Sequence, residues 1–360
     1  MLEKVERFCQ VNHLLPQGAG ILVACSGGPD SLALLELLWR LSSRYELRVA
    51  AAHFEHGIRG QVSKDDAGFV AAFCRQRGIP VYIGAGDVPA VAASSGDSLE
   101  QTARRLRYAF LEATRKEQQL QLLATAHHAD DQAETVLFRA IRGAGVRGAG
   151  GMRPVVAAGP GPLVWRPLLD VPRSALLAYA RAHCLAWVDD PSNADSGFSR
   201  NFLRNEVLPL VESRFPGAAT GLARMGRLCG EAADMLGELA ALDFAALRLP
   251  ASLRLGREAT LHLSSARLRN LLRFVLLDAG EAMPDEDRLR EIERQLRSPG
   301  AVEGLCLPVG GSALCVYREA WWLAPARHAP APASLGWDGE PRVPWAGGVV
   351  AWHETLGEGL

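Results

Sequence analysis

The hexapeptide Ser26-Gly27-Gly28-Pro29-Asp30-Ser31 has the residue types of a phosphate cradle. Adjacent glycines let the backbone bend tightly enough for successive N–H groups to face one concavity. A helix starting immediately after them adds partial positive charge at its N-terminus. Ser31 is placed to cap that helix or to touch an anion, and Asp30 to hold a divalent cation such as Mg2+ beside the phosphates. The loop lacks the Gly-Lys-Ser/Thr ending whose lysine reaches the β and γ phosphates, and it lacks the GxGxxG of dinucleotide-binding turns. Phosphate binding here must therefore rest on backbone amides and a metal.

A second group, Thr125-Ala-His127-His128-Ala-Asp130-Asp131-Gln-Ala-Glu134-Thr135, sets Asp131 and Glu134 three residues apart near a helix start, so that both carboxylates project from one face. Paired acids with a nearby arginine, Arg104 or Arg107 in the segment from Leu99 to Tyr108, complement a molecule carrying both ammonium and carboxylate groups. A carboxylate there is also placed to accept a proton from an ammonium. Neighbouring histidines point in different directions and the HExxH spacing is absent, so zinc is not the expected occupant. Each feature has a plainer reading: a serine-capped turn, the usual acidic bias of a helix start, and histidines satisfied in a core.

These residues need a frame. Ile21 to Cys25 reads as a buried strand, Ser31 to Leu41 as a helix, Leu47 to His53 as a strand and Asp65 to Gly78 as a helix. Then come a short strand at Val81 to Ile83, a helix from Ser98 to Gln118 and a strand from Leu120 to Ala126. Strict alternation predicts an α/β fold, a parallel sheet with helices on both faces, whose ligands bind at the carboxyl ends of the strands. Arg142 to Gly161 is rich in glycine and proline and reads as a long flexible loop. Helices are expected at Ser174 to His183 and Asn201 to Val211.

The domain boundaries expected are 1–215 for the catalytic domain, 216–247 for a helical connector and 248–325 for a smaller α/β domain. Residues 326–360 are expected to be a proline-alanine linker and the start of an incomplete β-containing domain, with β-like runs such as Gly348 to Trp352.

With 360 residues, 48% hydrophobic and 22% charged, the chain is no disordered segment, collagen or small disulfide scaffold. The net charge of −1 argues against wholesale wrapping around nucleic acid, but it hides a local excess. Between Thr135 and Leu169 there are five arginines, Arg139, Arg142, Arg147, Arg153 and Arg166, and no acid. Such a strip suits the phosphates of a single-stranded RNA loop. Of the 39 basic residues only Lys4, Lys64 and Lys116 are lysine. Seven scattered cysteines without a CxxC spacing read as buried, reduced thiols. No run approaches the roughly 18 apolar residues of a membrane span, and the start has no signal-peptide pattern, so a cytoplasmic protein without membrane attachment is expected.

The SGGxDS loop resembles that of the PP-loop, or N-type, ATP pyrophosphatases, which cleave ATP between its α and β phosphates. Further segments extend the likeness: His53-Phe-Glu-His56-Gly57-Ile58-Arg59, the Leu99–Tyr108 segment, the Thr125–Thr135 segment, Arg142-Gly-Ala-Gly145, Arg166-Pro-Leu-Leu169 and Asp189-Asp190-Pro191-Ser-Asn193. Together, from about Ile21 to Leu210, they closely resemble the tRNA(Ile)-lysidine synthetase family. Small departures are Phe54, Glu55 and Ile58.

The resemblance implies adenylation of the wobble cytidine of a CAU-anticodon tRNA(Ile), followed by displacement of AMP by the ε-amine of free L-lysine. It implies ATP and Mg2+ as cofactors. Ser26, Gly27, Gly28, Pro29, Asp30, Ser31 and His56 would bind ATP, and Asp30 the metal. Asp131, Glu134, Arg104 and Arg107 would hold lysine, with Asp30, Asp131, Glu134 and Arg104 as the catalytic set. Arg139, Arg142, Arg147, Arg200 and Arg204 would touch tRNA. A homodimer stays open. So do two other readings, a tRNA thiolase of the same loop family, which normally needs paired cysteines or an iron–sulfur cluster, and an inactive tRNA-binding scaffold.

Overall fold

The computed structural model describes residues 1–12, 17–58, 60–157, 163–189, 195–197, 199–250, 252–300, 304–325, 342–345 and 348–351. Arg59, the 158–162 part of the glycine-rich stretch, residues 190–193 of the Asp-Pro motif and the proline-alanine linker lie outside them. The chain divides into two compact units, Met1–Ala233 and Asp234–Leu360.

The first unit runs α1 (Leu2–Val11), β1 (Gly20–Ala24), α2 (Pro29–Tyr45), β2 (Arg48–Glu55), α3 (Gln61–Arg77), β3 (Val81–Ala85), α4 (Val88–Ser95), α5 (Leu99–Glu117), β4 (Leu122–Ala124) and α6 (Ala129–Ile141). It continues with α7 (Val146–Ala149), β5 (Val155–Ala157), β6 (Leu163–Trp165), α8 (Arg173–Ala182), α9 (Ser199–Phe202), a π-helical turn at Leu203–Val207 and α10 (Leu208–Arg214), and α11 (Ala218–Leu247) begins in it. The strands form one sheet in the order β3-β2-β1-β4-β6-β5. All neighbours pair in parallel except β5, which lies antiparallel to β6 at the edge.

Burial on both faces explains the unbroken apolar run of β1. Ile21 and Val23 join the cluster formed with α1, α2, α3 and α8, whereas Leu22 joins the cluster on the other face with Leu111 of α5 and Leu123 of β4. α5 comes very close to the sheet: a Cβ on Gly84 of β3 would stand 2.5 Å from the Phe110 ring. The chain leaves β1 for β2 and β3 on one side and returns to β4 on the other. The crevice at the carboxyl ends of β1 and β4 is therefore the topological switch point, where open α/β sheets bind ligands.

Two expectations need correction. The glycine-rich stretch is not a loose loop in its described part, because it folds as α7 and β5 and is tied to α6. Gln132, 4% exposed, accepts from Met152 N at 2.7 Å and donates to Met152 O at 3.0 Å, while Arg139 donates to the carbonyls of Gly148 and Gly151 at 3.0 and 2.8 Å. Backbone groups that glycine leaves bare are thus satisfied by side chains of the preceding helix. The cysteines are all free, but only Cys9, Cys25 and Cys74 are buried. Cys184 ends up exposed because it follows the last turn of α8 in a left-handed conformation, φ 50°.

The second unit contains α12 (Arg257–Leu261), α13 (Ser265–Asp278) and α14 (Glu286–Arg297) with β7 (Leu255–Gly256), β8 (Leu305–Val309), β9 (Ser312–Tyr317) and β10 (Ala320–Pro325), in an antiparallel sheet ordered β7-β10-β9-β8. Leu268, Leu272, Ile292, Leu296 and Trp321 form its core. The buried Trp321 indole donates to Thr260 Oγ1 at 2.9 Å. Exposed Cys306 sits on the outward face of β8 opposite Cys315. A two-stranded hairpin, β11 (Arg342–Trp345) and β12 (Gly348–Ala351), follows.

Candidate active site

The loop from Cys25 to Gly28 leaves the end of β1 and enters α2. Gly27 takes φ +90°, a left-handed conformation that a side chain disfavours, and its carbonyl accepts from Val188 N at 3.0 Å. Gly28 is the N-cap and Pro29 the first helical residue, which fits its fixed φ and its missing N–H. No side chain caps α2. Ser31 therefore does not cap the helix; its hydroxyl donates to Gly28 O at 2.9 Å and sits 3.3 Å from Ser26 Oγ. The first-turn amides of a seventeen-residue helix are left for an anion.

Asp30 lies at the start of α2 with Oδ2 3.7 Å from both His128 Nε2 and Arg173 Nε. Its Oδ1 is buried without a hydrogen-bond partner. An orphaned carboxylate oxygen at a phosphate cradle fits a hard cation such as Mg2+, which takes one or two carboxylates and fills its shell with phosphate oxygens and water. His56 closes the end of β2, its ring 5.1 Å from that of Phe54.

Across the switch point, His128 caps α6 in a reciprocal box: its backbone N–H donates to Asp131 Oδ2 at 3.0 Å and its ring accepts from Asp131 N at 3.3 Å. Burial works against protonation of His128, but the carboxylates of Asp30, Asp131 and Asp130, all within 3.7 Å of its ring, outweigh it and raise its pKa. His127, bonded to Thr125 Oγ1 at 2.9 Å, goes the other way. Burial, only partly offset by Asp131 and reinforced by Arg166, Arg200 and Arg107, pushes it down to about 3. His127 is kept neutral at pH 7, whereas His128, whose Nδ1 accepts in the cap only in the neutral form, is drawn toward a second proton by the carboxylates around it.

Asp131 and Glu134 do come together on one face of α6, and both are buried. They do not stand alone. Arg204 donates from Nε to Glu134 Oε1 at 2.6 Å and from Nη2 to Asp131 Oδ1 at 2.8 Å; Arg200 donates from Nε to Glu134 Oε2 at 2.9 Å and from Nη2 to Asp131 Oδ1 at 3.1 Å. Burial alone would raise the Asp131 pKa, but His128 and Arg200 overcome it and hold the carboxyl below its usual range. Arg200 and Arg204, expected toward RNA, are therefore engaged with the acid pair, a partnership hidden in sequence by a separation of 66 to 73 residues. Arg139 is likewise held by the chain's own carbonyls, whereas Arg142 and Arg147 are exposed.

Arg104 and Arg107 stack on the Tyr108 ring of α5 with guanidinium carbons 4.9 and 5.7 Å from its centroid. A groove of about 340 Å3 lined by Gln101, Arg104, Arg105 and Tyr108 opens there. Burial lowers the pKa of Arg107. Neither Arg104 nor Arg107 pairs with a described acid, so this side of the site keeps an uncompensated positive charge.

Comparison with known proteins gives a consistent result. Residues 2–211 match the PP-loop domain family and residues 255–322 match the TilS substrate binding domain family. A tRNA(Ile)-lysidine synthase from Aromatoleum aromaticum is 41% identical over 94% of this chain and 77% of its own. One from Azoarcus sp. is 42% identical over 95% of this chain and 74% of its own. Among solved structures, the U34-tRNA thiolase NcsA from Methanococcus maripaludis aligns with a TM-score of 0.54 at 19% identity, covering 63% of this chain and 78% of that one, which is a likeness of fold.

Proposed function

The chain belongs to the tRNA(Ile)-lysidine synthase family, and from that premise we propose how its site works. It is a PP-loop ligase that forms lysidine on tRNA at the expense of ATP. In our reading the nucleotide is the wobble cytidine of a CAU anticodon, the amine donor is free L-lysine, and the work is done in the cytoplasm. No described helix is long and apolar enough to cross a membrane.

The first step is attack of the cytidine O2 on the α-phosphorus of ATP. The unsatisfied amides at the start of α2 receive the departing pyrophosphate, so charge that develops on the leaving group meets donors already in place. Asp30, through its unpartnered Oδ1, is the residue to hold Mg2+, which when bound neutralises the triphosphate charge. His56, which follows β2, would contact the base of ATP. In the second step the lysine ε-amine, once its ammonium has given a proton to solvent, attacks C2; the C2–N bond forms as the C2–O bond breaks, and AMP leaves carrying that oxygen. Asp131 and Glu134 provide the negative end that receives an ammonium in exchange for a guanidinium, and Arg104 and Arg107 the positive end for the carboxylate. An acid held below its usual pKa suits ammonium binding better than proton abstraction. Arg142 and Arg147, exposed at and beyond the C-terminal end of α6, would meet RNA phosphates.

The observation that carries this reading is the meeting of the phosphate loop with the acid pair, bridged by His128, at the β1/β4 switch point. A thiolase is not favoured: the chain has no CxxC, and burial pushes up the pKa of the Cys25 thiol beside the loop. The test is reconstitution with ATP, Mg2+, radiolabelled lysine and a CAU-anticodon tRNA(Ile), followed by digestion of the RNA. Lysine attached to cytidine with one AMP released per turnover is expected. Absence of both would refute the reading, and AMP release without lysine transfer would remove lysine as the donor.

A further inference from the structure

Arg166 follows β6 at the same end of the sheet as His127, and it is 8% exposed. Its Nη1 donates to Arg153 O at 2.8 Å, while its Nε is buried with no hydrogen-bond partner. It forms no ion pair with a described acid. The Tyr108 hydroxyl also accepts from it, but a buried guanidinium with no described counter-ion and an orphaned Nε is costly, and an anionic ligand that completes it offsets that cost. Its surroundings say which charge that ligand carries. The charge of Arg104 bears on Arg166, and those of Arg166 and Arg107 bear on the neutral His127, so the group that completes Arg166 is an anion.

We propose that Arg166 is the inner anchor of the carboxylate subsite, donating from its unpartnered Nε to the α-carboxylate of the amino-acid substrate while Arg104 and Arg107 add positive charge from α5. The planar edge of a guanidinium matches the two oxygens of a carboxylate, which a lysine ammonium would not. This makes Arg166 a specificity residue: it distinguishes an amino acid from a plain diamine. The inference rests on the reading of the substrate as lysine and adds a residue to its site.

The probe is cadaverine, which is lysine without the carboxylate. With the full chain, ATP, Mg2+ and CAU-anticodon tRNA(Ile), we expect kcat/KM for lysine to exceed that for cadaverine. In Arg166→Met the preference should fall by about 10- to 100-fold, the worth of a hydrogen bond to a charged group. Arg166→Lys, which keeps the charge and loses the planar edge, should fall between and serves if the methionine variant does not fold. A merely structural arginine would lower both rates together and leave their ratio unchanged, which would overturn the proposal. A raised KM for ATP or tRNA with an unchanged ratio would also overturn it, by placing a phosphate there. If the wild-type chain used no lysine at all, the failure would belong to the underlying reading instead.

Discussion

Replacing Glu134 by Gln keeps the shape of the side chain and removes its charge, leaving the two guanidinia of Arg200 and Arg204 with Asp131 as sole acid. Glu134 accepts three hydrogen bonds from them, at 2.6, 2.9 and 3.0 Å. Breaking a buried pair by removing one partner costs roughly 3–5 kcal/mol. Here the acid side chain is 2% exposed but Arg204 is 25% and Arg200 37% exposed, so water recovers part of the loss. We expect about 2–3 kcal/mol after that discount. Native-state hydrogen exchange of peptides covering α6 and the segment from α9 to α10 should then speed up about 30- to 150-fold. The double variant Glu134→Gln/Arg204→Gln restores the charge balance and should exchange more slowly than the two single effects added together, with a coupling of about 1–3 kcal/mol. Exchange within threefold of wild type in Glu134→Gln, or strict additivity in the double variant, would refute the account of this quartet as a coupled unit.

Two other outcomes follow from the same geometry. Gly27→Ala forces a side chain into φ +90° and sets its Cβ 3.3 Å from Val70 Cγ2, so a strain of about 1–3 kcal/mol should reshape the phosphate loop and raise the KM for ATP about tenfold. The KM for lysine at saturating ATP should stay within twofold. Stability should also depend on pH through His127. The unfolded chain takes up that proton near pH 6.5, whereas the folded chain resists until about 3. The unfolded state therefore binds more protons in between. The contribution is whole above 6.5 and is lost as pH falls toward the folded value, with a slope of up to about 1.4 kcal/mol per pH unit. His127→Gln should flatten the urea midpoint between pH 6 and 4, and an unchanged slope would show that other groups set it.

The phosphate loop was legible because its residue types leave the backbone few choices: two glycines after a buried strand, a proline at the first helical position and an acid just behind it. The acid pair on α6 was legible from spacing alone, as were most strands, since both faces of the sheet are buried and the runs are unbroken. What escaped was whatever depends on distant partners. A guanidinium suits phosphate and carboxylate alike, so nothing in the run around Arg200 and Arg204 tells that both turn to α6. The glycine-rich stretch looked loose because its support, Gln132 and Arg139, sits on the helix before it. Helix α4 passed unseen in a short alanine-rich run, and the orphaned Nε of Arg166 depends on neighbours from α5 and from the segment before β5.

The π-helical turn at Leu203–Val207 holds one residue more per turn than the α-helix on either side. Such a turn absorbs the extra residue locally and lets the axis continue. Arg204 lies within it, and the core contact at Leu208 comes directly after. The stretch can thus be read as a mechanical spacer: the part that meets the carboxylates and the part that anchors the helix are adjusted separately.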